Sequence, residues 1–209
     1  MYKNLSLKRH WKISNSDIYI FETENILKLT AEKNVITKQY SEALSKLTSQ
    51  KKQNEFIATR IIHHFVFNHS EIIRYNNSAP FFCDSTSISI SHSNNLIAIA
   101  YSKAHRIGID LEKESTRIKK IAHKILHPDE SKYLEELSLV DKHIYLNKIW
   151  TVKEACYKAC YTNSYSFKTY KTEQLFDENA SCTIIETKEN FKLYFKRLEK
   201  FYFCLAILS

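Results

Sequence analysis

The chain has 209 residues, 44% hydrophobic and 26% charged, enough for one domain with a real core or for two small ones. It contains a single glycine, where average usage of roughly 7% would give about fifteen. Neither a P-loop nor a dinucleotide fingerprint can be written with one glycine, so any phosphate must be held by side chains, helix ends or a metal. The formal charge of +8 attracts polyanions in general: nucleic acid, anionic membrane, phosphorylated cofactors or an acidic protein.

Cys83, Cys156, Cys160, Cys182 and Cys204 make an odd set without a C-x-x-C pair, which argues against a disulfide scaffold or zinc ribbon. They read as reduced thiols. No stretch reaches the roughly 18 to 20 apolar residues of a membrane span, and MYKNLSLKRHWKI lacks the apolar core of a signal peptide. A cytoplasmic location is expected.

In chain order, residues 18–21 (IYIF) predict a strand. From Thr30, the spacing of Val35, Ile36, Tyr40, Leu44 and Leu47 predicts one helix, and a second runs from Phe56 to Phe67 with Arg60, His63 and His64 on its flanks. Ala79-Pro80 marks a turn. Residues 87–91 (SISIS) and 96–101 (LIAIAY) form a hairpin across Ser93-Asn94-Asn95, and a third strand covers 107–111. Helices follow over 115–126, 129–138 and 141–160, then strands over 181–187, 191–197 and 201–208. LIAIAYS (96–102) echoes FCLAILS (203–209). The expected class is therefore α+β, with two similar halves, 1–102 and 107–209.

Three segments carry candidate chemistry. In R-I-G-I-D-L-E (106–112), Asp110 and Glu112 lie two apart on a strand and point to one side. Two such carboxylates ask for a cation between them, and magnesium suits one or two carboxylates plus phosphate and water. Taken alone, the pair reads as a solvated strand face. In W-T-V-K-E-A-C-Y-K (150–158), Trp150, Glu154 and Lys158 share one helix face. Alone this is a surface ion pair, but opposite Asp110 and Glu112 it would make three carboxylates converge beside an ammonium. The third segment is Ser91-His92. Adjacent strand residues point oppositely and make a poor nucleophile–base dyad, so phosphate binding suits them better. The adjacent pair His63 and His64, with His69, lacks the spacing of a zinc site.

Together, S-I-S-H-S, then G-I-D-L-E, then W-T-V-K-E-A-C-Y-K resemble the 4′-phosphopantetheinyl transferases of the surfactin-synthetase-activating type. F-I-A-T-R (56–60) and R-I-K-K-I-A-H-K-I-L-H-P-D-E (117–130) extend the likeness. The resemblance implies a monomer of two pseudo-duplicated α+β halves, each an antiparallel sheet with helices, and an active site in the cleft between them. It implies transfer of 4′-phosphopantetheine from coenzyme A to a serine of an acyl or peptidyl carrier protein, releasing 3′,5′-ADP with Mg²⁺ bound. On this likeness Asp110, Glu112 and Glu154 are the metal-site acids, Glu154 is the base, and Lys158 steadies phosphate. Ser91, His92 and Arg60, with Lys51 and Lys52, face the coenzyme. Ser78-Ala79-Pro80 stands where the family commonly has Gly-Lys-Pro, and Cys160-Tyr161-Thr162-Asn163-Ser164 where it has a Gly-rich turn, which implies weaker coenzyme binding. The alternative is a decayed homologue that binds carrier protein or nucleotide without transfer. A nucleic-acid module is disfavoured because the basic residues are scattered without a recognition motif.

Overall fold

The computed structural model describes residues 6–67, 73–76, 79–160, 165–177 and 179–209. The strands β1 (Leu7–Ile13) and β2 (Ser16–Glu22) form a hairpin, turned by Ser14 and Asn15 in the left-handed region. The helices α1 (Thr23–Ile26), α2 (Thr30–Gln39), α3 (Ser41–Ser45) and α4 (Gln50–Phe67) follow. The single helix expected from Thr30 through Leu47 is thus two. It breaks at Tyr40, whose backbone leaves the helical region and whose ring lies edge-on to Phe56 of α4. The helix expected from Phe56 starts earlier, because its polar first turn carries no apolar period.

The strands β3 (Arg74–Asn76) and β4 (Ala79–Phe81) pair antiparallel, with Ala79 opposite Asn76 and Pro80 opposite Tyr75. Ala79-Pro80 is therefore strand rather than turn; a proline is tolerated in so small a ribbon because its missing N–H costs no central ladder bond. The hairpin of β5 (Ser87–Ser93) and β6 (Leu96–Ser102) and the strand β7 (Ile107–Lys113) lie where the alternation predicts. The helices α5 (Ile118–Ile125), α6 (Pro128–Glu136) and α7 (Leu139–Cys160) precede β8 (Tyr170–Glu173), β9 (Ser181–Ile184), β10 (Asn190–Leu198) and β11 (Phe201–Leu208).

The chain is α+β, with antiparallel sheets. One is ordered β1-β2-β6-β5 and the other β7-β11-β10-β9-β8. The two echoed sequences, LIAIAYS and FCLAILS, supply β6 and β11, each interior to its sheet. On the first sheet, Tyr19, Phe21, Ile97 and Ile99 pack under Ile57, Ile61 and Ile62 of α4. Its other face, with Ile18, Ile20, Ala98 and Ala100, meets Ile107, Ile109, Leu111, Phe203 and Leu205 of the second sheet. The far side of the second sheet is covered by α7 through Ile149, Val152, Ala155, Cys156 and Ala159. Among the described residues no helix is long and apolar enough to cross a membrane.

The two sheets are joined by a polar seam as well as by the apolar layer. The hydroxyls of Ser87, Ser89, Ser91 and Ser93 accept from the backbone N–H groups of Ile107, Ile109, Leu111 and Lys113 at 3.1, 2.9, 3.1 and 3.0 Å. β7 pairs with β11 along one edge only, so the serines satisfy donors on its other edge that burial would otherwise leave costly. Small neighbours permit this approach, since Ser89 and Ser91 lie opposite Ala100 and Ala98 in β6.

α7 lies as close to β7 as backbone allows. A Cβ built on Gly108 would stand 2.0 Å from the carbonyl oxygen of Ala155 and 2.5 Å from the nitrogen of Ala159. The one glycine in the chain thus makes room for a helix, and its φ is not positive. The helix is also pinned from its other side. Lys153 is fully buried and donates to Glu130 at 2.6 Å, to the Ile125 carbonyl at 2.7 Å and to the Phe167 carbonyl at 3.0 Å. Glu130 also accepts from the backbone and hydroxyl of Thr172 and from the His127 N–H, which closes the capping box of α6. A buried pair is tolerable only when its remaining valences are filled in this way. At the end of α7, Arg106 donates to the carbonyls of Ala159 and Cys160.

Candidate active site

Strand alternation divides β7 in two. Ile107, Ile109 and Leu111 enter the layer between the sheets, while Gly108, Asp110 and Glu112 face α7. The 3.6-residue repeat of α7 brings Trp150, Glu154 and Lys158 to meet them. The Trp150 indole N–H donates to Glu112 Oε1 at 3.2 Å. Lys158 Nζ donates to Asp110 Oδ1 at 2.7 Å and to the Ser91 hydroxyl at 3.2 Å. Asp110 is 2% exposed, and its Oδ2 is buried with no hydrogen-bond partner. Ser91 donates to Asp110 Oδ1 at 2.8 Å, and Ser93 to Glu112 Oε2 at 3.4 Å.

Burial and crowded carboxylates together set the electrostatics of the site. Burial, then the neighbouring Asp110 and Glu112, push the Glu154 carboxyl from 4.5 up to about 7, against the pull of Lys158. Burial and Asp110 likewise raise Glu112, opposed by Trp150, Lys158 and Ser93. Among the described residues no group of three or more His, Cys, Asp or Glu side chains is drawn together as a metal cage. The cation against Asp110 is the Lys158 ammonium.

A basic flank adjoins these acids. His92 Nε2 lies 2.9 Å from the Thr59 hydroxyl. Burial, with Lys158, Arg60 and Lys51 nearby, pushes its imidazole down to about 4. Arg60 is buried, its guanidinium 3.2 Å from the centre of the Phe56 ring, and its Nε has no hydrogen-bond partner. Lys51 pairs with Glu55 at 3.7 Å. Lys52 is exposed on the first turn of α4. The fold thus brings His92, Arg60, Lys51 and Lys158 into one field and leaves Lys52 on the surface. Ser78, Tyr161, Thr162, Asn163, Ser164 and His69 fall outside the described residues, and His63 is buried beside Tyr101.

Sequence reading placed Trp150 on the shared helix face without giving it a role, and missed three further contributors. Trp150 serves as a donor to Glu112, and Ser93 as a donor to the same acid. Thr59 contacts His92. Lys153, four residues after Ile149 and three before Cys156 on the apolar side of α7, anchors the helix from beneath. The alternating serines of S-I-S-I-S-H-S were the available signal for the seam, since small hydroxyls at every second position suit a close backbone neighbour.

The segment that carries these acids is also the one that resembles a known family. Residues 106–206 match the 4′-phosphopantetheinyl transferase superfamily. All three acids and Lys158 lie inside the superfamily match, whereas Arg60, Ser91 and His92 lie before it. Among solved structures, holo-[acyl-carrier-protein] synthase of Thermotoga maritima is 18% identical, with a TM-score of 0.43 over 49% of this chain and 62% of that one. The alignment therefore spans less than two thirds of the Thermotoga protein. No curated protein matches the chain.

Proposed function

We propose that the chain is a 4′-phosphopantetheinyl transferase, moving phosphopantetheine from coenzyme A to a serine hydroxyl of an acyl or peptidyl carrier protein and releasing 3′,5′-ADP. It acts as a cytoplasmic monomer whose halves, 1–102 and 107–209, hold the substrates between them. The observation that carries this reading is the meeting of Asp110, Glu112, Glu154 and Lys158 within the superfamily match.

The residues fit a magnesium ion on one concrete ground: Asp110 offers a buried, unpartnered Oδ2 beside two carboxyls whose protons are held first by burial and then by the neighbouring negative charge. Magnesium prefers oxygen ligands and completes its shell with phosphate and water, so a full protein cage is not required. Asp110 and Glu112, with Glu154, would hold it, and when bound it would neutralise charge on the pyrophosphate.

The protein's own groups supply the rest. Glu154, pushed up to about 7, is matched to neutral pH as the base that takes the serine proton. The serine oxygen forms its bond to the phosphorus bearing pantetheine, and the bond from that phosphorus to the ADP oxygen breaks. Lys158, 28% exposed at its side chain, can turn from Asp110 toward the phosphate. Arg60, His92 and Lys51 face the coenzyme on the basic flank. Incubation of apo carrier protein with coenzyme A and Mg²⁺, read by mass spectrometry, tests the proposal. An added phosphopantetheine mass supports it; binding without added mass identifies a decayed homologue.

A further inference from the structure

The resemblance assigns Ser91 to coenzyme phosphate, yet its hydroxyl is already spent. A serine hydroxyl has one proton and two lone pairs. The Ser91 proton goes to Asp110 Oδ1 at 2.8 Å, and its oxygen accepts from the Leu111 N–H at 3.1 Å and from Lys158 at 3.2 Å. Asp110 Oδ1 is in turn occupied by Ser91 and Lys158, which leaves Oδ2 as the oxygen without a partner. Ser93 repeats the arrangement more loosely, accepting from Lys113 at 3.0 Å and donating to Glu112 at 3.4 Å. Ser89 accepts from the Ile109 N–H at 2.9 Å, but the β7 residue in the equivalent place is Gly108, which has no side chain to hold.

We infer that Ser91, with Ser93 in a lesser part, is a positioning residue: the amino-terminal half reaches across the seam, steadies Glu112 through Ser93 and, through Ser91, sets Oδ2 as the oxygen of Asp110 that is free for a cation. The inference rests on the cation-binding reading of Asp110 and Glu112. Groups that orient metal ligands typically change metal affinity about 10- to 100-fold when lost.

The test is Mn²⁺ binding to the full chain, followed by the free-ion electron spin resonance signal, with urea denaturation of each variant alongside. Ser91→Ala and Ser89→Ala each remove one seam hydroxyl, but only the first removes a bond to an acid. The expected result is about ten-fold weaker Mn²⁺ binding for Ser91→Ala, with Ser89→Ala within about two-fold of wild type. Ser93→Ala is expected to fall between them. Equal Mn²⁺ affinities for Ser91→Ala and Ser89→Ala overturn the inference, whether both are weakened or neither is. Should Ser91→Ala fail to fold, Ser93→Ala against Ser89→Ala decides in the same way. A wild-type chain that binds no Mn²⁺ overturns the cation reading itself, and the inference with it, and is told apart by that control.

Discussion

Replacing Gly108 by alanine adds one methyl group where α7 crosses β7. That methyl would stand 2.0 Å from one backbone atom of the helix and 2.5 Å from another. Neither atom can swing aside, so the helix must retreat by about 1 Å or more before contact becomes bearable. Retreat unpacks Ala155, Cys156 and Ala159 from a buried cluster, while Lys153 on the opposite side resists it. Overpacking of this kind costs about 1–3 kcal/mol, and the rigid neighbours place this case at about 3 kcal/mol or beyond. The same displacement carries Lys158 away from Asp110, now 2.7 Å apart, so function should suffer even where the fold survives. Urea denaturation followed by circular dichroism measures the first effect, and phosphopantetheine transfer at a temperature where the variant is folded measures the second. An alanine variant with wild-type stability would show that the helix does not lie this close, and the geometric argument would fall.

Other substitutions probe the acids and their support. Glu154 holds its proton up to about 7 when folded, against 4.5 as the ordinary value, so the folded chain binds more protons than the unfolded chain across that window. Stability should then fall as pH rises through it, by about 3 kcal/mol in total, and Glu154→Gln should flatten the fall. Denaturation in EDTA at about pH 5 and about pH 8 checks this, and unchanged slopes in the variant would refute it. Asp110→Asn should abolish Mg²⁺-dependent transfer while leaving the circular dichroism spectrum intact; near-wild-type rates would remove Asp110 from the site. Lys153→Met should cost about 3–5 kcal/mol by stranding Glu130, and the double variant Lys153→Met/Glu130→Gln should recover part of that. A double-mutant cycle by thermal denaturation reads the difference, and strict additivity would contradict the buried pair.

Much of the site was legible because its residues obey simple periods. Asp110 and Glu112 alternate with apolar neighbours, and Trp150, Glu154 and Lys158 recur along one helix face, so each set could be placed before the two were known to meet. Their meeting depends on contacts about forty residues apart, which local spacing does not encode. β1 escaped notice because LKRHWKI is mostly exposed and charged, the pattern of an edge strand with little apolar signal. The break at Tyr40 was hidden by an apolar period that continues across it. Lys153 went unassigned for a different reason: a lysine is ordinarily solvated, and only Glu130, the Ile125 carbonyl and the Phe167 carbonyl, from separate parts of the chain, make its burial tolerable.

The seam has one further consequence. Its bonds repeat every second residue, so sliding β5 along β7 by two residues would give most of the serines an N–H again, and the backbone alone would scarcely object. Such a slip would bring Ser89 to Leu111 and Ser91 to Lys113, exchanging the serine that holds each acid and leaving Ser93 beyond the strand. Slippage by a single residue would present isoleucine in place of hydroxyl. A serine still meets each acid after such a slip, but the N–H of Ile107 loses its partner and Ser93 has none to accept from, so only the alignment that uses all four bonds is complete, and the length of the serine run tells the two halves where to stop.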